Sequence, residues 1–170
     1  MLNEKVSTLL NEQINHELYS AYLYLDISNY YKDNGLDGFA NWYKIQAQEE
    51  RDHAMLFMEY LQNNGYRVTL DAIAKPDKEF EGFKMPLEAG LEHEIIVTNL
   101  INAIYSQAAE VKDYRTIQFL DWFVKEQGEE EANAEALIRK MELFGADPRG
   151  LYLLDTELGA RIYAPPSLVL

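Results

Sequence analysis

Residues 46–55 read QAQEERDHAM, and their spacing decides the fold. On either side, apolar and aromatic positions recur in alternating steps of three and four, at Leu36, Phe39 and Tyr43 before and at Phe57 and Tyr60 after. The same stepping runs through the quoted stretch at Gln46, Glu50 and His53. Residues so spaced share one face of a helix, the face that packs against a neighbour. Glu50 and His53 therefore lie on a stripe that every other periodic position marks as buried.

Working outward, four long segments carry helical periodicity. The first covers about 5–33 and ends at DNGLDG; the second continues to about 64, where NNG supplies a stop. A third begins near Pro86, a first-turn proline, and runs to about 112; the fourth covers about 115–144 and stops at GADP. Asp147 and Pro148 read as cap and first position of a shorter fifth helix, about 148–162, with Leu151, Leu154, Leu158 and Ile162 on one side. Between Tyr66 and Met85 there is no helical period. A helix of about 27 residues is about 40 Å long, and a connection of about 20 residues can extend to about 66 Å, so it can return along the whole bundle. The reading is all-α: a four-helix bundle with one long crossover connection and a short fifth C-terminal helix, a single domain over 1–170.

Composition narrows the function classes. The chain has 170 residues, no cysteine and a formal net charge of -14. That charge opposes a nucleic-acid or anionic-membrane partner and attracts cations. No apolar run approaches the ~18 residues a membrane span needs. The absence of cysteine removes disulfides and thiolate metal ligands, and MLNEKVSTLLNEQ lacks the basic and apolar regions of a secretory signal; a cytoplasmic protein is expected.

The other three seams repeat the anomaly. Helix one gives Val6, Leu10, Gln13, Glu17, Ser20, Tyr24, Ile27 and Tyr31; helix three gives Leu87, Leu91, Glu94, Thr98, Ile101, Tyr105 and Ala108. Helix four gives Leu120, Phe123, Gln127, Glu130, Ala134, Leu137, Met141 and Phe144. Glu17, Glu50 and Glu130 lie near the midpoints of their helices. Glu94 comes earlier, by about 7 Å of rise, so its fit depends on the stagger of the third helix. A buried carboxylate costs several kcal/mol, and no lysine or arginine stands on the seams to pair with these. Either protonation or a multivalent cation must relieve them. Oxygen ligands with one nitrogen suit iron, manganese or zinc, and bridging carboxylates would hold two metals about 3.5–4 Å apart. Glu-x-x-His alone is common on exposed helix faces; its coincidence with carboxylates on three other helices gives it weight. His16 and His93, one position off the seam phase, read as solvated surface histidines. Tyr24, two turns from Glu17 on the same face, is placed to donate a hydrogen bond or an electron.

With those residues in view, the chain resembles the prokaryotic non-haem ferritins over essentially its whole length. The matching stretches are NEQINHELYSAYLYL, GFANWYKIQAQEERDHA, LEHE and WFVKEQGEEEA. The resemblance implies a ferroxidase that oxidises iron(II) with dioxygen or peroxide and stores it as hydrated ferric oxide inside a homo-oligomeric shell of 24 subunits. By position, Glu17, Glu50 and His53 correspond to the first iron site, and Glu50, Glu94 and Glu130 to the second, with Gln127 close by. Glu49, Glu126, Glu129 and Glu130 correspond to a third, weaker site, and Tyr24 to the tyrosine beside the centre.

Departures separate the relatives. Bacterioferritins and rubrerythrins, ferritin-like di-iron oxidoreductases and the alternative reading, carry a second Glu-x-x-His on the fourth helix; here Glu126 is followed by Glu129 and Gln127 by Glu130. Position 52 is aspartate, without the methionine that binds haem in bacterioferritins, so no haem is expected. Ile117 and Leu120 stand where animal ferritins place the acidic lining of their three-fold channels, which leaves the iron entry route unassigned.

Overall fold

A computed structural model describes residues 2–170. It has five helices in chain order: α1 (Glu4–Asp33), α2 (Asp37–Asn63), α3 (Met85–Glu110), α4 (Tyr114–Phe144) and α5 (Pro148–Gly159), with no strand among the described residues. α1 packs on α2 and α3, α3 packs on α4, and α5 rests against α2 and α4.

The helix ends follow local chemistry. Asn3 caps α1 by accepting from the Lys5 amide, Asp113 caps α4 through Thr116, and Asp147 caps α5 through Gly150 with Pro148 behind it. α1 and α2 stop at Gly35 (φ 76°) and Gly65 (φ 74°). In each case the next amide reaches back to a carbonyl of the last turn, Leu36 to Tyr31 (3.0 Å) and Tyr66 to Leu61 (2.9 Å), closure that a left-handed residue permits.

The crossover runs beside α1 for most of its length. Asn11 holds Thr69 by a reciprocal pair of bonds, its side-chain nitrogen donating to the Thr69 carbonyl and its oxygen accepting from the Thr69 amide, both 2.9 Å. Asn15 donates to the Ala72 carbonyl, and the Tyr30 and Tyr31 hydroxyls donate to the Gly82 and Phe83 carbonyls at the far end. Ascending α1 from 11 to 31 thus matches the crossover from 69 to 83, the full-length return expected from its reach.

α2 has no cap of its own. Leu36 stands at its N-terminus with no side-chain bond, and α5 supplies what is missing: Asp155 Oδ1 accepts from the Gly38 (2.8 Å) and Phe39 (3.0 Å) amides. A carboxylate there also meets the positive end of the α2 dipole. The approach is close enough that a Cβ on residue 38 would lie 1.6 Å from the Asp155 carbonyl oxygen. Only glycine lets α5 dock.

Side chains inside the bundle form two apolar clusters. One holds Val6, Leu10, Phe57, Ile101 and Phe123; the other holds Ile27, Tyr31, Phe39, Leu87 and Leu137 together with Leu154 and Leu158 from α5. Between them lies a buried polar band, to which every long helix contributes. Three expectations need correction. His93 is buried, because the α3 stripe widens where it faces α1; its Nε2 lies 2.8 Å from Ser20 Oγ, with Tyr19 at its edge. His16 is exposed, as expected. Phe144, at the last turn of α4, is half exposed rather than core. α5 ends at Gly159, so Ile162 lies beyond it and is 86% exposed.

Replacing Gly38 with alanine should therefore push α5 off the α2 N-terminus. The expected result is a loss of about 1–3 kcal/mol in urea unfolding and faster amide exchange across 148–159. Unchanged exchange there would show that the contact does not hold α5.

Candidate metal centre

The polar band is built from amide–carboxylate pairs one helix turn or one helix apart. On α1, Gln13 donates to Glu17 Oε1 (2.9 Å). Between α2 and α4, Gln46 donates to Glu130 Oε2 (2.8 Å). Between α4 and α3, Gln127 Nε2 donates to Glu94 Oε2 (3.0 Å) and stands 3.3 Å from the Glu94 carbonyl and Thr98 Oγ1. Tyr24 also donates its hydroxyl to Glu94. The stagger of α3 therefore carries Glu94 into the same layer as the other three carboxyls, which its position along the helix left open. Tyr24 finds Glu94 across the bundle rather than Glu17 on its own helix.

Glu50 has no amide donor. Its nearest neighbours are His53 Nδ1, 3.5 Å from Oε2, and the carboxyl of Glu17. One ligand atom each from Glu17, Glu50 and His53 lies within 4.8 Å of the others, the one such triad among the described residues. All three are at most 3% exposed. His53 is held from behind by the rings of Trp122 and Phe123, edge-on at 5.5 and 5.8 Å.

No lysine or arginine is among the buried side chains of the described residues. Charge is consequently suppressed in this layer. Burial first pushes the carboxyls of Glu17, Glu50 and Glu94 up; repulsion from Glu50 pushes Glu17 further, repulsion from Glu94 and Glu130 pushes Glu50, and repulsion from Glu17 pushes Glu94. Glu130 is raised from 4.5 to about 7, by burial first and Glu94 second, against the Gln46 bond. Tyr24 is raised by burial and by Glu94, which keeps its hydroxyl a donor.

Hydrogen bonding leaves the layer unfinished. Glu17 Oε2 and Glu50 Oε1 are buried and have no partner. A buried acceptor without a donor costs about 1–3 kcal/mol, and both orphans belong to the triad. Hard oxygens, one imidazole and two open lone-pair positions fit an iron-sized cation.

The remaining acidic positions lie outside this layer. Glu49 is bonded by Arg161 Nη2 at 2.6 Å, Glu126 is half-buried, and Glu129 is exposed with Lys125 Nζ at 3.4 Å. Glu130 faces inward with the triad. Leu120 lies fully buried in the cluster with Phe57 and Phe123, so its side chain lines no surface of the subunit. Sequence reading gave no role to Gln13 and Gln46. The available signal was an amide on a buried stripe one turn from a carboxylate.

Residues 7–144 match the family model for a ferritin-like domain. The chain is 40% identical over 163 residues to the bacterial non-heme ferritin of Staphylococcus saprophyticus, covering 96% of this chain and 98% of that one. It is 40% identical over 155 residues to the bacterial non-heme ferritin of Campylobacter jejuni, covering 91% and 93%. Among solved structures, an engineered closed form of the Archaeoglobus fulgidus ferritin superposes with a TM-score of 0.94 at 41% identity, covering 96% of this chain and all of that one. With the family model spanning most of the chain and relatives of this name 40% identical over nearly its whole length, the chain belongs to the ferritin family.

Proposed function

We propose that this ferritin stores iron and oxidises it on the way in, with iron(II) as substrate at the buried layer. The observation that carries the reading is the pair of partnerless oxygens on Glu17 and Glu50 in a dry layer without a protein cation. On this reading Glu17, Glu50 and His53 take one iron(II), and Glu50, Glu94 and Glu130 take a second, with Glu50 between them. Gln127 and Tyr24 orient Glu94, Gln13 orients Glu17, and Gln46 orients Glu130. Hard oxygen donors favour the ferric state, and ligands that do not saturate the metals leave room for dioxygen or peroxide. Glu49, Glu126 and Glu129 lead outward from Glu130 toward a third iron position. Asp52, bonded by Tyr163, offers no thioether to haem.

Assembly follows from surface chemistry. Leu143, Tyr152, Leu153 and Ile162, in and beside α5, are exposed in the single subunit. Large apolar side chains left exposed in this way support contact with further copies, and a closed homo-oligomer of 24 subunits is the form proposed. The chain is read as one domain. No helix among the described residues is long and apolar enough to cross a membrane; a cytoplasmic location is proposed. Recovery of a cage by size exclusion and electron microscopy separates this reading from a di-iron oxidoreductase of small oligomeric state.

Iron must displace protons from these carboxyls, so pH couples to both binding and stability. Between 4.5 and about 7, folded Glu130 keeps a proton that an unfolded glutamate has lost. The folded state binds more protons there, so the metal-free protein loses stability as pH rises through that window. Thermal melting across it should show the fall, Glu130→Gln should flatten it, and the gain in melting temperature from iron(II) should grow as the pH rises. A metal-free curve with no fall would sink the charge argument.

Glu50→Ala should slow iron(II) oxidation at least about 100-fold, the upper end of the effect of losing a supporting residue, while the cage still assembles. Anaerobic titration should count two tightly held iron(II) per wild-type chain, and subsequent oxygen should raise a diferric absorption band that Glu50→Ala lacks. Wild-type rates in that variant would refute the shared-ligand role.

A further inference from the structure

The segment after α5 turns back and runs parallel to α2, tied down at successive points. Asn41 donates to the Arg161 carbonyl (3.1 Å), Tyr163 donates to Asp52, the Trp122 indole donates to Ser167 Oγ (3.0 Å), and Leu168 packs against the cluster around Phe57 and Phe123. The strap thus touches α4 at Trp122, the residue whose ring backs His53.

One of its contacts is chemically unlike the rest. The Arg161 guanidinium donates to Glu49 Oε2 at 2.6 Å, lies 4.0 Å over the Trp42 ring and reaches the Trp42 carbonyl at 3.4 Å. Its side chain is 19% exposed and that of Glu49 17%, so the pair is largely shielded from water. Burial raises the Glu49 carboxyl, and Arg161 pulls it back down. A planar guanidinium fixed on an aromatic face loses little freedom in making such a bond, and a charge-assisted bond is stronger than a neutral one.

This creates a contrast between two neighbouring acidic groups. The inner four carboxyls have no protein cation. Glu49 has one supplied by its own chain, and exposed Glu129 has Lys125 beside it. We propose that Arg161 is a tethered competitor for iron. It holds Glu49 until an arriving ion displaces it, so the C-terminal strap makes the third position a transient stop while the inner two remain firm. The inference rests on the proposed centre and on Glu49 extending it outward. Arg161 acts as a positioning residue: it touches Glu49, not the reacting ions.

Calorimetric titration of the assembled metal-free protein with zinc(II), in excess magnesium to occupy exposed carboxylates, reads ion count and affinity without turnover. Arg161→Gln should tighten the third, weakest ion about tenfold, the scale of one lost charge-assisted bond, and leave the two tighter ions unchanged. Arg161→Met keeps an apolar stem on Trp42 and should give the same gain with an unchanged melting temperature, which distinguishes competition from a loosened strap. Adding Glu49→Gln should erase the gain. No change in the third ion with either variant, a gain that survives Glu49→Gln, or no third ion in any variant overturns the proposal. Glu50→Ala titrated alongside separates the two levels: if it spares both tighter ions, the centre is misassigned whatever the Arg161 variants do.

Discussion

Four carboxyl groups, one from each long helix, meet in a layer that water does not reach, and the chain sends no ammonium or guanidinium to join them. Each would cost several kcal/mol to hold charged there. The protein manages this in two ways without metal. Burial and mutual repulsion raise the carboxyls and so favour their protonated forms, and amides or a phenol spend their donors on three of the four. Glu50 is the exception, flanked by a histidine and another carboxyl, and it is the residue with most to gain from a cation.

Much of the fold serves to hold that layer at one height. The crossover is tied to α1 near both ends, at Asn11 and Asn15 and again at Tyr30 and Tyr31, which sets where α3 begins and therefore brings Glu94 level with Glu17, Glu50 and Glu130. Apolar clusters above and below the layer keep it dry. They also divide the core in two, with the polar band between them, and any ion that bound there would add to stability by linkage.

α5 and the strap behind it give the C-terminal region two distinct duties. Asp155 caps α2, whose own sequence has no capping residue, and so secures the helix that carries Glu50 and His53. Arg161 then meets Glu49 about three turns further along the same helix, beside Glu50. The inner carboxyls are left without a protein counter-charge, and Glu49 is given one by Arg161.

The helical period made the bundle legible, because buried positions every three or four residues are a local property of the chain. Glu17, Glu50, His53 and Glu130 were readable for the same reason: they interrupt that period near helix midpoints. Tertiary structure alone decided the rest. The level of Glu94 depends on the path of a crossover with no period of its own. His93 is buried because a neighbouring helix widens the α3 face, and Gly38 matters because a distant helix docks within bonding distance of its amide. Asp155 to Gly38 and Arg161 to Glu49 join residues more than a hundred positions apart. Pairings of that range depend on how the helices pack, and spacing along the chain carries no record of them.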